Sequence, residues 1–161
     1  MRPGLKAGLI GGGVLSLLTI ITYLGSLLPQ GISTIISCCL CVPILLVYPG
    51  TGALAALWLS PPRTAGEGAK EGALAGVVAG AIDGLITVIM GVAIGPRMYQ
   101  QAFQQLPPES LQALQETGLM NLFTSAAGLA ALACCGGIIG ILWAVAWGAA
   151  GGAILAAAKR D

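Results

Sequence analysis

The chain has 161 residues, is 57% hydrophobic and only 8% charged, and carries a net charge of +1. Soluble domains carry roughly 25% charged residues, so the polar surface that a water-soluble fold needs is missing, and a mean hydropathy of +0.92 points to a polytopic membrane protein. No basic face is present for nucleic acid, and the absence of histidine removes the commonest general base and metal ligand.

The first apolar span is predicted from Leu5 to Leu28, ended by Pro29-Gln30-Gly31. Arg2 and Lys6 give it a charged start, but its apolar core is too long for a cleaved signal peptide and no A-x-A site follows. The second span runs from Ile32 to Leu59 and is closed by Ser60-Pro61-Pro62. Ile35-Ile36-Ser37-Cys38 loosely mimics a lipoprotein cleavage box, but it lies inside this apolar span and far from the start, so lipidation is not expected. The third span is predicted from Lys70 to Gly95-Pro96. Each exceeds the ~20 residues needed to cross ~30 Å of hydrocarbon.

Between the third and fourth spans, residues 97–118 form the longest polar segment. Tyr99, Phe103 and Leu106 fall at i, i+4, i+7 among Gln100, Gln101, Gln104 and Gln105, the spacing of an amphipathic helix. Such a helix is expected to lie on the outer leaflet or to offer a partner a docking surface. Pro107-Pro108 breaks it, and a second short helix starts with Glu109, Leu111 and Leu114. The apolar stretch from Leu119 to Ala158 is too long for one perpendicular helix. It is read as an interfacial turn or two followed by a fourth span over residues 130–157.

The expected fold is therefore all-α, a single transmembrane domain of four spans plus an amphipathic outer segment. Arg2, Lys6, Arg63, Lys70, Lys159 and Arg160 fall on one side and only Arg97 on the other. The positive-inside rule then predicts both termini in the cytoplasm, in a bacterial inner membrane.

Glycine recurs every fourth residue at Gly68, Gly72, Gly76, Gly80 and Gly84, beside Asp83. In water each mid-helix Gly costs about 1 kcal/mol relative to Ala; in lipid an i, i+4 row lets a second backbone approach closely, typically at a right-handed crossing. Gly4, Gly8, Gly12 and Ser16 repeat the row on the first span, with Lys6 aligned to Lys70 and Thr19 to Asp83. Cys38-Cys39 matches Cys134-Cys135, and Gly52 then matches Gly148. The chain reads as two tandem two-helix hairpins related by an axis along the membrane normal. A third row, Gly128, Gly136, Gly140, Gly148 and Gly152 with Ala144 in step, lies on the fourth span. Three glycine faces on four helices suggest either dense internal packing or a surplus face for a homo-oligomer or other membrane subunits.

Asp83 lies near mid-span, where an ionised carboxylate costs about 2.5–3.5 kcal/mol and needs a polar partner. Ser16, Thr19 and Thr22 on the first span and Thr87 one turn along are the hydroxyls in range, and no Lys or Arg is placed at that depth. Such a group could bind a proton, Na⁺ or a cationic substrate, or hydrogen-bond across a helix contact.

The five cysteines are read first as small buried hydrophobes. Cys38 and Cys41 nevertheless have C-x-x-C spacing at the start of the second span. In outline this resembles the bacterial quinone-coupled disulfide oxidases, with four spans, both ends inside and a C-x-x-C entering the second. It departs from them in having no cysteine in the outer loop, an adjacent pair Cys134-Cys135 within the fourth span, and no Arg near Cys41. No metal site is expected, because neither His nor carboxylate accompanies the thiols. Glu67, Glu71, Glu109 and Glu116 have no nucleophile or base at useful spacing, so no enzymatic activity and no cofactor is expected.

Tyr23 and Trp58 fit an aromatic belt, and Trp143 and Trp147 read as packing or lipid-facing bulk. The sequence thus supports a non-enzymatic membrane component packed through glycine faces. The alternative is a small ion- or proton-coupled transporter or channel using Asp83, and a thiol–disulfide oxidoreductase is the third reading.

Overall fold

The computed structural model describes residues 2–62 and 64–159; Arg63 and Arg160, which entered the charge-placement argument, lie outside them. The described residues form six helices and no strand: α1 (Pro3–Gly25), α2 (Gln30–Leu57), α3 (Ala65–Phe103), α4 (Pro108–Glu116), α5 (Leu119–Thr124) and α6 (Ala126–Ala158). Four of them, α1, α2, α3 and α6, are long and apolar enough to cross a membrane.

Local signals explain the boundaries. Pro3 begins α1 and Pro108 begins α4, positions where a missing N–H costs nothing. Thr64 caps α3: its hydroxyl accepts the Glu67 N–H at 3.2 Å and donates to Glu67 Oε2 at 3.1 Å, which satisfies one of the free N–H groups of the first turn. Ser125 caps α6 by accepting the Gly128 N–H at 3.1 Å. Between α4 and α5 the chain turns at Gly118, whose φ of +69° is left-handed, a conformation natural to glycine.

Two boundaries differ from the sequence expectation. Pro96 does not end the third span: α3 continues through it to Phe103, for 39 residues in all. At 1.5 Å per residue that is about 58 Å, close to twice the hydrocarbon thickness, so α3 is much longer than a crossing requires. The Tyr99–Phe103 face belongs to the last turns of α3 and is not a separate helix, and it packs on α5, with Tyr99 and Phe123 ring centroids 5.5 Å apart and Phe103 and Phe123 6.3 Å apart. α6 starts at Ala126, about one turn earlier than expected, and the apolar residues before it form the separate helix α5. Pro43 and Pro49 both lie inside α2; membrane helices tolerate such breaks where neighbours re-satisfy the freed groups.

Neighbouring contacts fix the directions. α1 runs parallel to α3, with Gly4 at Glu71, Gly8 at Ala75 and Gly12 at Ala79. α3 runs antiparallel to α6, with Gly68 at Gly152, Gly72 at Gly148 and Gly76 at Ala144. Gly11 meets Thr51 and Gly25 meets Ile36, so α2 returns against α1; it crosses α6 where Gly52 sits on Gly148 and Gly151 on Pro49. The helices therefore alternate in direction. One end, called proximal below, carries both termini and the α2–α3 turn. The distal end carries the α1–α2 turn, α4 and α5. Arg2, Lys6, Lys70 and Lys159 lie at the proximal end and Arg97 lies toward the distal end.

The interior is built from small residues. Ala7, Ala55 and Ala75 are fully buried and touch one another, and Leu15 is the largest fully buried side chain among the described residues. Large aliphatics face outward instead: Leu46 is 65% exposed and Ile154 70%. That inversion suits a lipid surround, where close van der Waals approach of helices, and not burial of bulk, drives association.

Candidate functional site

The α3–α6 contact defines the site by closing at one end and opening at the other. At Gly68, Gly72 and Gly76 the helices touch backbone to backbone, and an added methyl would land on the carbonyls of Gly152, Gly148 and Ala144. At Gly80 it would stand 3.0 Å from Ile141 Cα, and at Gly84 it would be 3.8 Å from the nearest atom, Gly137 Cα. The pair therefore spreads distally from about Gly84.

This packing uses the glycine rows of α1 and α3 but only part of the row expected on α6. Gly4, Gly8 and Gly12 pack on side chains and backbone of α3, whereas Gly148 and Gly152 pack on its glycines. Gly136 and Gly140 pack on nothing: neither has an atom within 4 Å of an added Cβ. The contact row on α6 steps through Gly152, Gly148, Ala144, Ile141 and Gly137. With 3.6 residues per turn, one step of three is needed to hold the row on the same face, and it brings Gly137 where strict fourth-residue spacing had placed Gly136. Gly128 packs on the Leu122 backbone of α5 and does not join the row.

Asp83 sits on α3 where this spreading begins. Thr19 Oγ1 of α1 donates to Asp83 Oδ1 at 2.6 Å, a short hydrogen bond of the kind expected for an O–H donor to a carboxyl oxygen. The other hydroxyls considered are placed differently. Thr22 donates to the Leu18 carbonyl of its own helix at 2.9 Å. Ser16 is buried, and its Oγ has no hydrogen-bond partner. Thr87 lines a cavity directly above.

That cavity has a volume of about 340 Å³ and is lined by α1 (Tyr23), α3 (Thr87, Gly91, Gly95, Met98, Tyr99, Ala102) and α6 (Leu129, Leu132, Ala133, Gly136). Thr87 follows Asp83 by four residues and Tyr23 follows Thr19 by four, so the Asp83–Thr19 pair lies one helical turn beneath two residues of the lining. From Thr87 to Ala102 the lining covers about 22 Å of the α3 axis at 1.5 Å per residue, reaching the last turns of α3. It is largely apolar, and its side-chain oxygens are the hydroxyls of Tyr23, Tyr99 and Thr87.

The residues that sequence reasoning missed are the tyrosines. Tyr23 on α1 and Tyr99 on α3, two of the chain's three tyrosines, line one cavity from separate helices. The signal was available in part: Tyr23 and Thr87 each stand one turn from a member of the Thr19–Asp83 pair that the repeat had aligned.

The remaining candidates lie elsewhere. Cys38, Cys39, Cys41, Cys134 and Cys135 are all free and all exposed on the outside of the bundle, which corrects their reading as buried hydrophobes. In lipid a thiol is apolar enough to face outward, while the close helix contacts admit mainly Gly and Ala. Trp143 and Trp147 are 49% and 42% exposed, stacked edge to face with centroids 5.8 Å apart, which makes them outward-facing bulk. Glu71 accepts the Gly4 N–H at 2.9 Å, so this carboxylate serves the N-terminus of α1. Among the described residues, no group of three or more Cys, Asp and Glu is arranged to hold a metal ion. Comparison with protein-family models, with curated proteins and with solved structures finds no match.

Proposed function

We propose that this is a small transporter-type membrane protein, non-enzymatic, in which Asp83 is the carboxylate that binds a proton or cation entering from the distal end. The observation that carries this reading is the Thr19–Asp83 hydrogen bond of 2.6 Å one turn beneath the cavity lined by Tyr23 and Thr87. A carboxylate buried only to bridge two helices has no need of a polar-tipped opening above it. Intramembrane acids characteristically mark ion or substrate pathways, and the two helices that supply Thr19 and Asp83 come from separate parts of the chain. Positive-inside placement of Arg2, Lys6, Lys70 and Lys159 puts the proximal end in the cytoplasm, so the cavity opens outward.

The glycine faces then have an internal role: they hold the proximal half shut. The tandem-hairpin reading is supported by two aligned pairs, Thr19 with Asp83 and Gly52 with Gly148, each of which is in contact, as a local two-fold relation would have it. An oligomer of this chain would use the open Gly140, and crosslinking of Gly140→Leu beside the parent tests that separately.

The test of the main reading is flux. Full-length protein in proteoliposomes is given a proton or Na⁺ gradient, and ion movement is followed for the parent and Asp83→Asn. Asn keeps an acceptor for Thr19, so the fold is retained, and flux is expected to fall at least tenfold. Equal flux in the two proteins overturns the reading.

A further inference from the structure

The cavity is much larger than an ion or a proton requires, and its chemistry is selective. We propose that it binds a small lipophilic organic cation, an alkyl- or arylammonium, with its apolar body among Met98, Leu129 and Leu132 and its charge directed toward Asp83. The inference rests on the reading of Asp83 as a binding carboxylate and adds the class of substrate.

Three observations lead to it. The volume of about 340 Å³ lies within the roughly 300–1,000 Å³ typical of small-molecule sites. Its lining offers hydroxyls from Tyr23, Tyr99 and Thr87 among aliphatic and thioether groups, too few oxygens to replace the shell of a hard inorganic cation, which takes about six or more. Those same groups suit a diffuse organic cation, which is attracted to aromatic faces and loses little hydration on entering apolar surroundings. Charge sign follows from the surroundings: no Lys or Arg contributes to the lining, Arg97 at the same level of α3 is exposed and outside it, and the Asp83 carboxylate lies one turn beneath Thr87. A neutral ligand would leave that carboxylate unanswered, and an anion would be repelled.

Gly91 shows where the site can be closed. A Cβ there would make ordinary contact with Ala133 Cβ at 3.6 Å and the Tyr23 hydroxyl at 3.8 Å, so a longer side chain enters the cavity from α3 without striking backbone. Ala133→Phe fills it independently from α6. Gly13 on α1 is exposed and open, outside the lining, and Gly13→Leu is the control.

The probes are benzyltrimethylammonium and its uncharged carbon isostere neopentylbenzene, binding to the full chain in lipid nanodiscs. The parent is expected to bind the ammonium saturably at one site per chain, at least tenfold more tightly than the isostere. Gly91→Leu and Ala133→Phe should each weaken ammonium binding at least tenfold, Asp83→Asn should remove the preference for charge, and Gly13→Leu should change nothing. Equal affinity for the two probes, or unchanged affinity in both filled variants, overturns the substrate inference. If Asp83-dependent ion flux persists in that case, the substrate class alone has failed. If Asp83→Asn changes neither flux nor ammonium binding, the assignment of Asp83 has failed with it.

Discussion

The proximal and distal halves of the α3–α6 pair are written in nearly the same residues and behave oppositely. From Gly68 to Gly80 the two helices close backbone on backbone; from Gly84 to Gly95 the same kind of glycine lines open space. Gly152, Gly148 and Ala144 stand opposite the closed half, and even Ile141 is met closely by Gly80. The opening starts where glycine faces glycine, Gly84 opposite Gly137, and Gly136 lies in the cavity lining beside Leu132 and Ala133. Bare faces therefore permit close approach without enforcing it, and where the two helices part the missing side chains leave a cavity.

The largest effect should come from filling the seam. Gly76→Ala drives a methyl into the Ala144 carbonyl, an overpacking that typically costs about 1–3 kcal/mol, and Gly76→Leu should yield little folded protein. Gly84→Ala adds the same methyl at contact distance and should stay within about 0.5 kcal/mol of the parent. Thermal unfolding of the Ala variants in one detergent reads the contrast directly; equal losses would mean that the helices do not spread at Gly84.

Next in size is the polar pair. Thr19→Val removes the donor to Asp83 Oδ1, and interhelical hydrogen bonds in membranes average about 0.6 kcal/mol, so a stability loss of about that size is expected, with cation affinity falling less than in Asp83→Asn. A loss as large as that of Asp83→Asn would mean that Thr19 contacts the ligand itself. At the proximal end, Glu71→Ala uncaps the Gly4 N–H and should cost about 1 kcal/mol, measurable as faster amide exchange in the first turn of α1 and no change in binding. Smallest of all, replacing the five cysteines by Ala should alter neither folding nor flux, because every thiol faces outward; loss of a quinone-linked thiol oxidation on that replacement would revive the redox reading.

Much of this molecule was legible from its sequence. Four apolar stretches bounded by Pro29, Pro61-Pro62 and the polar segment 97–118 gave four long helices, and the glycine spacing gave their contact faces. Pro96 misled because a membrane helix supported by neighbours can run through proline, and here the aromatic face of Tyr99 and Phe103 had Phe123 to hold it. Gly136 and Gly140 misled because the contact face of α6 takes one step of three, from Ala144 to Ile141, and so passes to Gly137. Thr19 stood among four hydroxyls in range of Asp83, with Ser16, Thr22 and Thr87, and the packing of α1 on α3 selects it. The cavity was not legible, because it depends on where α3 and α6 part, two helices about 50 positions apart.

The central claim is that water and ligand reach the level just above Asp83 from the distal end, along α3 and α6. In a cysteine-free background, Thr87→Cys lines the cavity, while Leu85→Cys, at nearly the same depth, occupies a position 62% exposed on the outside of the bundle. A membrane-impermeant thiol reagent added from the distal side should label Thr87→Cys and leave Leu85→Cys unmodified, with benzyltrimethylammonium protecting the first. Equal labelling of the two, or none at Thr87→Cys, would contradict the account.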